Sequence, residues 1–569
     1  MTRVIFLAIL FAIGYQAVML LLGARILRRS WLQSCTLDDN IRILLAPIVG
    51  VLAHALITAA ALSVDARIVK FVLPAICIFL GLTWRKTQLD LKTAWPSLGL
   101  NWAYGLFCFA ILVSFEYGAA RGENLFWTLY RLTAITPGDS PQALWQAQYL
   151  LYGKSLANLQ NFSLFDRPFL GGLITLGALT GIGRPPGSEY NLFPAELLYF
   201  YIALWTWLNA NIALAVTWIG RRFVAHDARV VLYFIVLASP ALVFNITGTW
   251  PKLFGVYVAV CAAALMLSGR YLVAAVMSGI TFLIHGSFLW AHLSLCGVLI
   301  LYLIFCAPTV PKRLTAAGSV LAIAAAFPGL WFVAERLTGD SSALRLYYLY
   351  DVSVSHGFHH GIEEIARNFY RQTTAGNLSS LPFMNLLKAL VPYELFIWLG
   401  SFSYKHQELT WRSFASALFL TQMNRPLFGF CVTAGIVAIV GMARSLGTNW
   451  KLSLAVIAFF LLPLIPGMAL YRRDDHFILG IMLFALVPMV LAVGAGLSSM
   501  SAKASILLLN LVGFEYWLVY LSRYPSLRYP GEFHEFYVWL VGIALVASVL
   551  GVVAMRMRMS AHGSWSTVR

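Results

Sequence analysis

Four short stretches carry side chains able to do chemistry. Pro137-Gly138-Asp139-Ser140-Pro141 opens a polar segment and Asp166-Arg167-Pro168 closes it. Asn245-Ile246-Thr247-Gly248-Thr249-Trp250-Pro251-Lys252 comes next, and Tyr471-Arg472-Arg473-Asp474-Asp475-His476 lies far downstream. Asp139 follows a Pro-Gly turn that sets its backbone tightly. A carboxylate so held suits a general base, which takes a proton from a hydroxyl as the oxygen attacks. The plainer reading is an aspartate capping a helix. Arg167, Lys252, Arg472 and Arg473 can hold a phosphate, Arg through a bidentate fork and Lys as a point charge. Their plainer readings are an Asp166–Arg167 surface pair, a lysine snorkelling to the membrane surface, and pairing of the two arginines with Asp474 and Asp475. His285 in Ile284-His285-Gly286, like His292 and His476, can bond a phosphate or hydroxyl. Asp166 and His476 suit the acceptor side of such a site, or the orientation of its cations. His356, His359 and His360 are the densest histidine group, but they lack fixed helical spacing, and no CxxC pair occurs, so no metal site is indicated.

Membrane helices must position these residues. Of 569 residues, 60% are hydrophobic and only 11% charged, against about 25% charged in a soluble chain; mean hydropathy is +0.78. The composition predicts an all-α integral membrane protein, a multi-span helical bundle. The net charge of +17 then points to anionic headgroups or lipid phosphates, not to nucleic acid. A hydrocarbon core takes about 20 apolar residues per helix. Apolar runs near 4–23, 43–61, 68–84, 102–119, 195–219, 230–246, 253–269, 271–284, 289–306, 314–334, 426–443, 452–470, 477–496, 504–521 and 536–555 predict about fifteen spans. The first has no small-residue cleavage site after it and reads as a retained span. His54 and Glu515 fall inside spans and are expected to face the bundle interior.

Lys and Arg counts set the orientation. With the N-terminus outside, inner loops hold nineteen of them, while short outer loops and their helix ends hold eight. The C-terminus is then cytoplasmic, and two long polar segments share the extracytoplasmic face of a plasma (inner) membrane. The chain divides into a three-span unit (1–101), a core (102–334) with a first external loop at 120–194, a second external loop (335–425), and C-terminal spans (426–569). Gln142 to Leu151 is expected to lie in the interface plane, with Ser140 as its cap and Pro141 at its first position. Phe169 to Gly181, too short to span, is expected against the bilayer. Ile362 to Tyr370, Leu381 to Leu390 and Trp411 to Leu420 read as short amphipathic helices. Only Arg556 to Arg569 follow the last span, so acceptor recognition is expected of the loops.

An early Asp, an interfacial helix and then a basic residue before Pro resembles the first external loop of the GT-C glycosyltransferases, including bacterial aminoarabinose transferases and protein O-mannosyltransferases. The resemblance covers about 30 residues. It departs at Phe169, where a second Pro is expected, and in its place after the fourth span instead of the first. It implies transfer of a sugar from a polyprenyl-phosphate donor to an acceptor glycan, lipid or protein. Asp139 would be the base; Arg167, Lys252, Arg472, Arg473 and His285 would hold the donor phosphate. Relatives of this kind often add a carboxylate and a divalent metal on the next outer loop. Here that loop, Asn245 to Lys252, has no carboxylate, so Lys252 is expected to neutralise the phosphate and no cofactor is expected. An O-antigen polymerase or ligase would instead use Arg and His of 335–425. A lipid-linked glycan transporter or flippase would show related halves and discontinuous helices; the sequence shows no internal repeat.

The orientation makes a direct prediction. Alkaline phosphatase, active only outside the cytoplasm, should be inactive when fused after Arg569 and active when inserted near Ser188. The opposite pattern would move both long segments to the cytoplasm.

Overall fold

The structure is a computed structural model. It describes residues 2–29, 38–83, 99, 101–112, 141–153, 168–187, 194–247, 250–306, 310–337, 391–405, 411–448 and 477–523, with scattered positions between 364 and 390. Among these the chain is helical and holds no strand. The helices that matter below are α1 (Thr2–Arg29), α2 (Asp39–Val64), α3 (Val69–Leu82), α4 (Asn101–Leu112), α5 (Gln142–Tyr152), α6 (Leu170–Gly181), α7 (Ala195–Ala210), α8 (Ile212–Phe223), α9 (Arg229–Leu237), α10 (Pro240–Thr247), α11 (Lys252–Leu267), α12 (Tyr271–Ile284), α13 (Leu289–Cys306), α14 (Val310–Leu337), α15 (Tyr393–Lys405), α16 (Trp411–Asn424), α17 (Val432–Thr448), α18 (Phe477–Ser498) and α19 (Ala502–Arg523). Among the described residues five helices are long and apolar enough to cross a membrane, and the bent pair α9–α10 makes a sixth if it is one span. The stretches 452–470 and 536–555, expected as spans, lie outside the described residues.

The centre is the near-continuous pair α7–α8, whose most apolar stretch is entirely buried. Two kinds of contact build the bundle around it. The first is close backbone approach at glycine. A Cβ on Gly23 would strike the Ala46 carbonyl, and one on Gly50 the Met19 carbonyl, so α1 and α2 cross backbone to backbone. Small residues at helix crossings are the usual membrane device, because lipid supplies no hydrophobic drive between helices. Gly441 and Gly496 do the same for α17 and α18, which run parallel, with Arg444 bonded to Ser499 Oγ at 2.8 Å. The second kind is the buried amide. Asn211, at the α7–α8 junction, accepts from Gln16 Nε2 of α1 at 2.8 Å and from Asn101 Nδ2 of α4 at 3.0 Å. Apolar side chains facing away from this centre are exposed, such as Leu56, Leu82, Phe305 and Leu330, which gives the outer surface a lipid-compatible character.

Several sequence expectations are corrected. The helix at 142–152 is not interfacial: Ala143, Leu144, Trp145, Gln146, Ala147 and Gln148 are all buried. Its polar side chains meet protein carbonyls in place of headgroups, Gln148 Nε2 donating to Gly187 O at 2.8 Å and Gln146 Nε2 to Pro168 O at 3.4 Å. Pro141, not Ser140, holds its cap position, with no side-chain cap bond. The 170–181 helix does not lie against lipid either, since Gly171 to Thr180 is buried except for Leu173. Its glycines let α2, α3 and α5 approach: Gly177 against His54 and Thr58, Gly181 against Leu73, Gly172 against Gln146. The 411–424 helix is also drawn inward, with Ala415, Phe419, Thr421 and Gln422 buried.

His54 and Glu515 do face the interior. His54 Nδ1 meets the Tyr15 hydroxyl at 3.1 Å. Glu515 of α19 receives Val432 N at 2.7 Å, Thr433 N at 3.3 Å, Thr433 Oγ1 at 3.0 Å and Gln422 Nε2 at 3.1 Å. It therefore caps α17 from another helix, which also explains why that helix starts at Val432 and not near 426. Glu515→Leu should orphan these donors at roughly 1–3 kcal/mol each and lower the melting temperature in detergent clearly, with Glu515→Gln milder. Equal melting of Glu515→Leu and wild type would remove the cap from the stability account.

Candidate functional site

The site is built where several helices begin or break inside the bundle. Trp205 of α7 is its floor. The indole N–H donates to Thr175 Oγ1 of α6 at 3.1 Å, and the ring stands edge-on to Phe254 of α11, centroids 6.4 Å apart. A Cβ on Gly171, in the first turn of α6, would lie 3.7 Å from Trp205 and 3.5 Å from Ala143 Cβ of α5. Helices α5 and α6 run parallel, with Tyr152 OH bonded to Pro186 O at their far ends. The N-terminal turns of α5, α6 and α11 thus gather around one tryptophan. Each carries about half a positive charge from its aligned peptides.

Lys252 sits on the first turn of α11. It is 5% exposed, with Nζ 4.0 Å from the centre of the Trp250 ring. Its seat is fixed by Asn209 of α7. Asn209 Nδ2 donates to Trp250 O at 2.8 Å and to Ile246 O at 3.3 Å, while Oδ1 accepts from Phe254 N at 3.0 Å. One carboxamide therefore ties the end of α10 to the start of α11. A lysine here opposes the helix dipole and leaves water, two costs that a bound anion reverses. The plainer reading, a lysine snorkelling to the surface, does not hold, because this one is buried.

His285 ends α12, also buried. Ser287 N donates to its Nδ1 at 3.2 Å and the Ser287 hydroxyl lies 2.8 Å away, so Nδ1 accepts and, in the neutral ring, Nε2 carries the proton. The break after His285 packs on the first turn of α11: the Phe288 ring lies where a Cβ on Gly255 would fall. Lys252 and His285 are thus on adjoining helix ends. His292 is an internal polar group bonded to Ser278 Oγ, 2.8 Å away. Asp139, Asp166, Arg167, Arg472, Arg473 and His476 lie outside the described residues, as do His356, His359 and His360. The helices directly after Asp139 and Arg167 are α5 and α6, which converge on the floor just described. Among the described residues no three His, Cys, Asp or Glu gather as a metal set.

Sequence reasoning missed Asn209, Asn211 and one ion pair. Glu394 of α15 and Arg425, after α16, are nearly buried, at 11% and 8% exposure, with Arg425 Nη2 2.8 Å from Glu394 Oε1 and Nε 3.0 Å from both oxygens. Beside them Met423 Sδ receives Asn245 Nδ2 of α10 and Phe419 meets Phe244 edge-on, so this helix pair packs against α10. The available signal was Asn209-Ala210-Asn211 in the middle of an apolar run, where polar side chains are expensive and so functional or structural.

No protein-family model, no curated protein and no solved structure matches the chain. The molecule itself defines an all-helical protein with several helices suited to a membrane and a buried lysine at a convergence of helix ends.

Asn209→Leu keeps the volume and removes the tie. It should leave two carbonyls and one N–H without partners, at roughly 1–3 kcal/mol each, and expose the 245–252 loop to protease in detergent. Wild-type melting and protease resistance would show that Asn209 does not hold Lys252 in place.

Proposed function

We propose that the chain is a membrane glycosyltransferase of the GT-C type, moving a sugar from a polyprenyl-phosphate donor to an acceptor on the extracytoplasmic face. The observation that carries this is Lys252, a buried ammonium at the positive end of α11, joined by the N-terminal turns of α5 and α6. Such an array suits a phosphate leaving group, whose departure needs charge neutralisation more than acid catalysis. Asp139 takes the acceptor proton, the hydroxyl oxygen attacks the anomeric carbon, and the carbon–phosphate-oxygen bond breaks. Arg167, Arg472 and Arg473 complete the phosphate clamp, with His285 Nε2–H as a neutral donor beside Lys252. Support for the sidedness comes from helix direction. With α1 and α7–α8 running outside to inside, Arg221 and Arg222 of α8, and Arg444 of α17, fall at the cytoplasmic end, as the charge bias expects. About fifteen spans remain part of this proposal.

One observation favours a second reading. Helices α9 and α10 meet at 58° across a short break, and α12 and α13 break at His285. Discontinuous helices at a buried charged site also suit a transporter of lipid-linked anionic glycan.

The two readings separate in proteoliposomes. Asp139→Asn should reduce kcat by about 10²–10⁴-fold with little change in KM for the lipid donor. Lys252→Met should lower kcat/KM for the donor and weaken retention of the released polyprenyl phosphate. Donor flux across the bilayer with no transfer, unaltered in Asp139→Asn, would replace the enzyme reading by the transporter.

A further inference from the structure

Helix α9 stops at Leu237 and α10 starts at Pro240, and the two meet at 58°. Pro240 explains the stop. It has no N–H to give to Val236 O, and its ring clashes with a continued helix. Ser239 N takes Val236 O instead, at 3.4 Å, so Ile235 O loses its usual amide. On the far side Leu242 N turns to Ser239 Oγ at 3.3 Å, which deprives Ala238 O in the same way. The break therefore frees two carbonyls inside the bundle, a costly arrangement unless other donors replace the amides.

Helix α19 supplies the replacements. Tyr516 OH donates to Ile235 O, and Tyr520 OH donates to Ala238 O at 3.0 Å. The two tyrosines are one turn apart on the same face of α19, so their hydroxyls meet the break from one side. Both are buried. Their rings divide between the two halves of the broken helix. Tyr516 packs on Phe234 of α9, centroids 6.3 Å apart, and Tyr520 on Phe244 of α10 at 5.6 Å. Phe244 also meets Phe419 of α16, and α16 is tied to α19 through Gln422 Nε2 and Glu515. Helix α10 is thus held between two helices that are bonded to each other. It leads directly into the 245–252 loop, whose Ile246 O and Trp250 O are the carbonyls that Asn209 holds. The direction α10 takes at the break decides where that loop begins.

We propose that Tyr516 and Tyr520 are positioning residues for the Lys252 centre: by holding the carbonyls freed at Pro240 they fix the bend of α9–α10, and the bend delivers the 245–252 loop to Asn209. Tyr520 acts on the α10 side and carries the larger effect at Lys252, while Tyr516 anchors the end of α9. The inference rests on Lys252 as the working group of the site. It holds equally for sugar transfer and for movement of a lipid-linked anion.

The test uses the full chain in detergent and needs no donor lipid. Acetylation by an amine-reactive ester, read by mass spectrometry, reports the exposure of Lys252 against the exposed Lys70 and Lys503 of the same molecule. Amide exchange over 241–255 and thermal unfolding are read alongside. Tyr520→Phe keeps the ring and loses only the hydroxyl. It should raise Lys252 acetylation relative to Lys70 by about tenfold, with faster exchange in 241–255 and little change in α1 and α2. Tyr516→Phe should give a smaller rise, and Tyr302→Phe, on α13 and exposed, none. Ser239→Ala removes the hydroxyl that receives Leu242 N at the start of α10. It should shift 241–255 the same way, and it serves if Tyr520→Phe does not fold. Wild-type acetylation and exchange in folded Tyr520→Phe overturns the proposal. So does faster exchange spread evenly over all helices, which would make the hydroxyl a general stabiliser and not one that places Lys252. Failure of the wild type to transfer sugar would sink the transfer reading and leave these results untouched.

Discussion

Inside an apolar bundle, every helix end leaves amides and carbonyls that water cannot reach. This chain meets that constraint with side-chain amides. Asn209 is the clearest case, because its single carboxamide satisfies two carbonyls and one N–H across the gap between α10 and α11. Without it the loop could not turn within the bundle, α11 could not begin there, and Lys252 would have no buried position. Asn211, two residues further on, draws Gln16 and Asn101 onto the central helix through its side-chain oxygen. Glu515 meets the same need with a carboxylate at the start of α17.

The consequence is a bundle of broken helices and not a row of uniform spans. Helices α5, α6 and α11 begin, and α12 ends, inside protein. Such ends are also electrostatic sources, so the scheme that satisfies the backbone creates positive potential at one place. The two activities considered for the molecule, sugar transfer and movement of a lipid-linked anion, both draw on that potential. Their difference lies in whether a base stands beside it.

Charge is distributed differently at the two ends. Around Trp205 the positive character comes from buried dipoles and one ammonium in an enclosed setting. Around Arg221 it comes from the half-buried guanidiniums of Arg221 and Arg229. A low-dielectric interior strengthens the first and solvent screens the second.

Some of this was written in the residues. Apolar runs and sparse charge gave helices over 271–284 and 289–306 with their observed bounds, and drew attention to Lys252 and His285 at the edges of apolar runs. Local pattern could not tell that Gln146 and Gln148 would find carbonyls of a later segment, so the helix at 142–152 read as interfacial. It could not tell that Gly177 would admit His54 and Thr58, so the helix at 170–181 read as lipid-facing. Hydropathy records how polar a side chain is; whether its partner is water, headgroup or another helix depends on contacts between residues far apart in the chain, and only the tertiary structure supplies those.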